Sequence, residues 1–151
     1  EIDNRFSEDE VVSRDGHKLM STLVPGEKPK EILFKLKPNI DVIAIDEGNF
    51  FSLELVDVVK TLLKDGKAVI VSGLDLDFRG EPFGAMPILL SMADKVVKKS
   101  AYCDYSGCGK VANRTQRLIN GKPAHYNDPL ILVGDQEYEA RCMRHHEVPK
   151  D

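Results

Sequence analysis

No apolar run in this chain approaches the ~20 residues that a membrane-spanning helix requires, and no secretory leader is visible at its start. Positive charge is not in excess either. The formal net charge is -4 over 151 residues, which disfavours a nucleic-acid partner, since such surfaces carry a basic patch. A local phosphate site stays compatible with that balance. Cysteine is scarce and odd in number, and Cys103, Cys108 and Cys142 argue against a closed disulfide framework. Without a leader, the expected setting is the reducing cytoplasm, with no membrane partner. Position 1 is not methionine, and the opening EIDNRFSEDE reads as the inside of a longer polypeptide.

The chain does carry the material for a core, at 42% hydrophobic and 30% charged residues. Its length fits one domain, or a core domain with a small appendage. Residues 28–36 predict a short helix. The run DVIAID, from Asp41, predicts a strand of the continuously apolar kind that parallel sheets bury on both faces. Leu53, Val56, Val59, Leu62 and Leu63 recur at helical spacing, and Asp65-Gly66 ends that helix. KAVIVSGL (67–74) predicts a second strand, PILLSMA (87–93) a short helix, and DKVVKKS (94–100) a third strand. Strand and helix in alternation with short connections indicate an α/β domain with a parallel sheet over residues 1–100. From residue 101 to 151 the character changes. All the cysteines lie there, with a basic stretch (Arg114, Arg117, Lys122), turn signals at Asn120-Gly121 and Asp128-Pro129, and one strand-like run, LILVG. This is expected to be a second, small unit with little helix.

Two features carry chemistry. The strand DVIAID ends in adjacent carboxylates, Asp46 and Glu47, followed by Asn49, Phe50 and Phe51. Ligands of open parallel sheets bind beyond the carboxyl ends of the strands. An acid there can hold Mg²⁺ through water, and its neighbour can take a proton from a nucleophile. The plainer alternative is that the acids cap the strand where it meets solvent. The second strand ends in GLDLDFRGEPFG (73–84), which gathers Asp75, Asp77, Phe78, Arg79 and Phe83 between glycines. Arg79 suits a phosphate or acidic partner and the rings suit a flat base; alternatively the aromatics of a polar loop pack inward.

The segments DVIAIDEGNFF, GLDLDFRGEPFG, NRTQRLINGKPAHYNDP and EYEARCMRHH, in this order, resemble the thymidine kinases shared by bacteria and the animal cytosol. IDNRFSEDEVVSRDG fits the same family. The resemblance implies a P-loop-NTPase-like parallel core and a small zinc-holding domain whose lasso loop closes over the nucleoside. It also implies a homotetramer that moves the γ-phosphoryl group of ATP, with Mg²⁺, to the 5′-hydroxyl of thymidine or deoxyuridine. Position by position, it puts Glu47 on the catalytic base and Asp46 on the magnesium side, with Arg5 toward the phosphates. Phe50, Leu74, Phe78, Phe83, Thr115, Arg117, Ile131, Leu132, Gly134 and Tyr138 fall among the residues around the nucleoside.

The chain departs from that pattern in three places. The phosphate loop GxxxxGK[ST] is absent from these 151 residues, and in the family it precedes the segment where this sequence starts. Asn49 stands where the family usually has Gln. Cys103 and Cys108 are separated by four residues, where two are usual. Structural zinc sites accept C-x₂₋₄-C, so Cys103, Cys108, Cys142 and His145 form an expected tetrahedral set, with His146 the other choice for the fourth ligand. The alternative is three buried thiols and two surface histidines, with His125 a surface residue either way. Two rival functions remain at this level: a zinc-ribbon binding module, and a catalytically inactive or regulatory fragment of such a kinase.

Overall fold

The computed structural model describes residues 10–12, 18–132 and 137–150. A short antiparallel pair comes first, β1 (Glu10–Val12) against β2 (Lys18–Met20). Helix α1 (Glu31–Lys35) follows at the place the sequence predicts. The apolar run then forms β3 (Val42–Ile45), α2 (Leu55–Lys64) crosses back, and β4 (Ala68–Val71) lies parallel to β3 with Ile45 opposite Val71. Helix α3 (Met86–Met92) completes this part, with Pro87 in its first turn, where a missing N–H costs nothing.

One face of the β3–β4 pair carries the core. Ile43 and Ile45 pack against Leu55, Val56, Val58, Val59 and Leu62 of α2 and against Ala85, Met86 and Leu89. Each such side chain, fully buried, contributes roughly 1.5–3 kcal/mol. The buried stripe of α2 is rotated from the one expected: Leu55 and Val58 are inside, whereas Leu53 and Leu63 are exposed. The helix starts only at Leu55, so Leu53 belongs to its entry. At its far end the N–H groups of Gly66 and Lys67 return to the carbonyls of Leu63 and Leu62. This is the Schellman stop, and Gly66 supplies its positive φ of 74°.

Two expectations change here. Among the described residues the strands are covered on one face only, with Val42 and Ile70 on the opposite face exposed. A parallel pair with helices on one side protects only that side. The segment 94–100 forms no strand; no described strand pairs with it, and Val96 and Val97 are exposed. A mixed α/β architecture with small sheets is what the described residues form.

After Ala93 the described residues hold strands and turns but no helix. β5 (Ala101–Tyr102) pairs with β6 (Val111–Ala112). β7 (Arg114–Ile119) is central between β8 (Lys122–Pro123) and β9 (Glu137–Arg141), both antiparallel to it. The predicted turn joins β7 to β8, with Asn120 and Gly121 at φ 52° and 72°, the left-handed values that a two-residue hairpin of matching twist demands. Leu130–Leu132 of the LILVG run lie outside any strand, and its last two residues fall outside the described ones. The buried cluster of this part is small: Cys103, Ala112 and Cys142, with Cys108 and Ala140 against it.

Candidate functional site

The parallel register that sets Ile45 opposite Val71 also sets the next residues, Asp46 and Ser72, side by side. Ser72 Oγ donates to Asp46 Oδ1 at 2.6 Å, and the Glu47 N–H donates to the same oxygen at 2.9 Å. Glu47 itself sits at φ 53°, ψ 40°, a left-handed conformation rare outside glycine. Such strain persists where surrounding contacts over-determine it. Here the next N–H, from Gly48, is held by Ser72 O at 2.8 Å. Gly48 is tightly enclosed, since a Cβ on it would come within 2.6 Å of Val71 Cγ1. The chain is therefore forced to turn sharply, and the Glu47 carboxyl stands out beyond the sheet. Partial desolvation, and next the charge of Asp46, push its pKa up from the ordinary 4.5.

Asn49 lies beneath this turn, 2% exposed. Its Oδ1 accepts the Leu74 N–H at 2.9 Å, which locks the acidic turn to the start of the loop after β4. Phe50 and Phe83 meet edge to face with centroids 5.5 Å apart. The loop is closed internally by buried Asp77, whose Oδ1 accepts the N–H groups of Arg79 and Glu81 at 2.8 and 3.0 Å. Its aromatics do pack inward, Phe78 at 6% and Phe83 at 7% exposure.

Leu74, Thr115 and Tyr138 line one cleft of about 550 Å³, together with Lys98, Lys99 and Asn113. Lys98 is paired with Asp75 at 2.6 Å. Thr115 sits opposite Ala140, and Arg117 opposite Tyr138, in the β7–β9 ladder. Arg117 is 1% exposed. Its guanidinium lies 3.5 Å from the centroid of the Phe78 ring, and Nη1 donates to Leu130 O at 3.3 Å. It is thus packed behind Phe78 rather than lining the cleft. Ile131 is exposed and Leu132 half-buried, neither of them lining the cleft. Arg5 and Gly134 lie outside the described residues.

The sulfur and imidazole ligands converge. Cys103 Sγ and Cys142 Sγ lie 3.7 and 3.6 Å from His145 Nδ1, and Cys108 Sγ lies 3.8 Å from Cys142 Sγ. All four donor atoms fall within 4.8 Å of one another. A tetrahedral centre with bonds of about 2.3 Å to sulfur and about 2.0 Å to nitrogen has edges of about 3.8 and 3.5 Å, so the donor set fits a metal ion. The turn that brings Cys103 and Cys108 together bends at Gly107 and Gly109, both at positive φ. On the other side, the His145 N–H returns to Cys142 O at 3.0 Å. Burial opposes the thiolates of Cys103 and Cys142, yet hydrogen bonds lower both pKa values, those of Cys142 and Tyr105 N–H for Cys103 and those of His145 and Arg144 N–H for Cys142. Tyr105 stacks on the His145 ring at 4.0 Å. His146 points elsewhere: its Nε2 lies 2.9 Å from Phe78 O. His125 Nδ1 accepts the Asn127 N–H and belongs to the turn at Asp128.

Several supporting residues escape sequence reasoning. Ser72 had a weak signal, since both strands end after four apolar residues and their first polar residues must face each other. Asn49 and His146 stood out in the sequence for other reasons, and nothing there signalled the links they make, or that of Tyr126, whose hydroxyl donates to Glu81 at 2.6 Å. Each acts on a residue 25 to 68 positions away.

Residues 1–146 match the family model described as thymidine kinase. A curated relative, the thymidine kinase of Coprothermobacter proteolyticus, is 55% identical over 149 residues, which cover 98% of this chain and 73% of that protein.

Proposed function

The chain belongs to the thymidine kinase family, and from that premise we propose how its residues divide the work. The reaction is phosphoryl transfer from ATP to the 5′-hydroxyl of thymidine, a salvage step that feeds DNA synthesis. Glu47 is the general base that takes the hydroxyl proton as the nucleoside oxygen attacks the γ-phosphorus. The observation that carries this is its strained position beyond β3, with a pKa raised by desolvation and by Asp46. A carboxylate whose pKa is raised is a stronger proton acceptor than an ordinary one. Asp46 holds the magnesium side, oriented by Ser72. Mg²⁺ neutralises charge on the transferring phosphates when bound.

The nucleoside lies against the cleft of Leu74, Thr115 and Tyr138. The Phe50–Phe83 pair and Phe78 are its aromatic wall on the family resemblance, none of the three being among the residues that line that cleft. Ile131, Leu132 and Gly134 belong to the lasso above it, and Arg5 approaches the phosphates. Zinc is the metal for the Cys103, Cys108, Cys142 and His145 set: three sulfurs and one imidazole with no open position suit a structural ion. The parallel β3–β4 pair is part of a P-loop-like core, and the division into 1–100 and 101–151 follows the two separate buried clusters. A cytoplasmic homotetramer completes the reading; among the described residues no helix is long and apolar enough to cross a membrane. The family match leaves the inactive-fragment and zinc-ribbon readings unfavoured.

The test is transfer of label from γ-labelled ATP to thymidine by the complete enzyme. Labelled thymidine 5′-monophosphate is expected, with none formed when magnesium is withheld. Label appearing only in inorganic phosphate would contradict the reading.

A further inference from the structure

The metal-binding turn and the loop at the end of β4 are joined by a hydrogen bond that neither the ligand set nor the cleft requires. His146 follows the ligand His145, and its Nε2 lies 2.9 Å from the carbonyl oxygen of Phe78. A carbonyl can only accept, so Nε2 carries the proton. The imidazole also packs on Gly80, where a Cβ would come within 3.3 Å of His146 Cε1. On its other face the Phe78 ring is backed by the buried Arg117 guanidinium at 3.5 Å. His146 is itself held between two anchors. On one side is the ligand turn of Cys142 and His145. On the other, Gln116 clamps the main chain of Glu147, accepting its N–H at 2.8 Å and donating to its carbonyl at 2.9 Å.

We infer that His146 is a positioning residue that couples occupancy of the metal site to the placement of Phe78, and through it to nucleoside affinity. Its hydrogen bond makes the 77–81 loop tighten when the metal orders residues 142–145. The kinetic part rests on the reading of Phe78 as a wall of the nucleoside site. The coupling itself does not, because it is measured by exchange in the protein without substrate.

The experiment uses the complete enzyme and its His146→Ala and His146→Gln variants, measuring metal content, amide exchange and kinetics. In the wild type, chelation is expected to speed exchange at the amides of Asp77, Arg79, Gly80 and Glu81, which all close onto the loop itself. In His146→Ala the metal content is unchanged, exchange there is already fast with metal bound, and chelation adds little. The thymidine KM rises about tenfold with kcat within about twofold, the size of one lost partly buried hydrogen bond. His146→Gln, which can still offer an N–H, recovers most of both effects. Loss of metal from His146→Ala would make His146 a ligand and overturn the inference. So would loop exchange in the wild type that ignores chelation, or a thymidine KM that does not move. A wild-type enzyme that fails to phosphorylate thymidine would instead sink the functional reading and leave the exchange result standing.

Discussion

Ser72 donates its hydroxyl to Asp46 at 2.6 Å, tying together the ends of two parallel strands whose register already places them side by side. The bond fixes the orientation of the carboxylate next to the base. Ser72→Ala removes the hydroxyl donor and leaves that carboxylate oxygen with the Glu47 N–H. A hydrogen bond to a charged group at an exposed site contributes ~1 kcal/mol. The magnesium concentration for half-maximal turnover should therefore rise about fivefold while the fold is kept. A magnesium titration of the variant checks this; an unchanged midpoint removes Asp46 from the magnesium side.

Asn49 makes a purely internal link. Its Oδ1 accepts the Leu74 N–H, and it is almost wholly buried. Asn49→Ala strands that N–H and opens a small void, which costs about 1–3 kcal/mol. For a chain of this length that corresponds to a Tm lower by roughly 2–4 °C per kcal/mol. Calorimetry of the variant is the check, and a Tm equal to wild type would mean that water replaces the amide at no cost.

The raised pKa of Glu47 makes a paired prediction about pH. The folded state holds this proton more tightly than the unfolded chain does. The associated stability is fully present below the ordinary 4.5 and is lost as pH rises through the folded value. Glu47→Gln has no such dependence. Its Tm relative to wild type should climb as pH rises through that window, and at pH above it should equal or exceed wild type. A variant that loses ground as pH rises would reverse the sign and contradict the desolvation argument. The acid limb of wild-type kcat/KM should likewise fall at a pH above 4.5.

Metal removal gives a further outcome. The last fifty residues have a buried cluster built largely of the cysteines themselves, so the ion contributes directly to their order. Cys108→Ser should release the metal and raise the thymidine KM, while the β3–α2–β4 core still unfolds cooperatively. Elemental analysis beside steady-state kinetics would detect this, and retained metal with unchanged KM would make the thiols ordinary core residues.

The elements β3, α2, β4 and α3 were legible because their apolar residues are local and periodic, and the Asn120-Gly121 hairpin because two left-handed residues in a row leave few alternatives. The Cys103–Cys108 and Cys142–His145 pairs were legible because each is short in sequence, while their meeting, and His145 rather than His146, needed the fold. The segment 94–100 was misread: valines among lysines look strand-like, yet a strand exists only through a paired neighbour. Leu53 and Leu63 show the same limit, since spacing finds a stripe without fixing which residues face the sheet. Arg117 is the clearest case. The family resemblance put it among the residues around the nucleoside, and only the pairing of β7 with β9 together with the inward turn of Phe78 buries it.

The central claim is that Glu47 removes the proton from the nucleoside hydroxyl, and Glu47→Gln in the complete enzyme tests it most directly. The substitution keeps the shape of the turn and takes away the base. Loss of a general base costs ~10²–10⁴ in rate, so turnover should fall by that factor while thymidine affinity, measured by equilibrium binding, stays within about threefold. Turnover near wild type would show that Glu47 only caps the end of β3, and the account would be wrong.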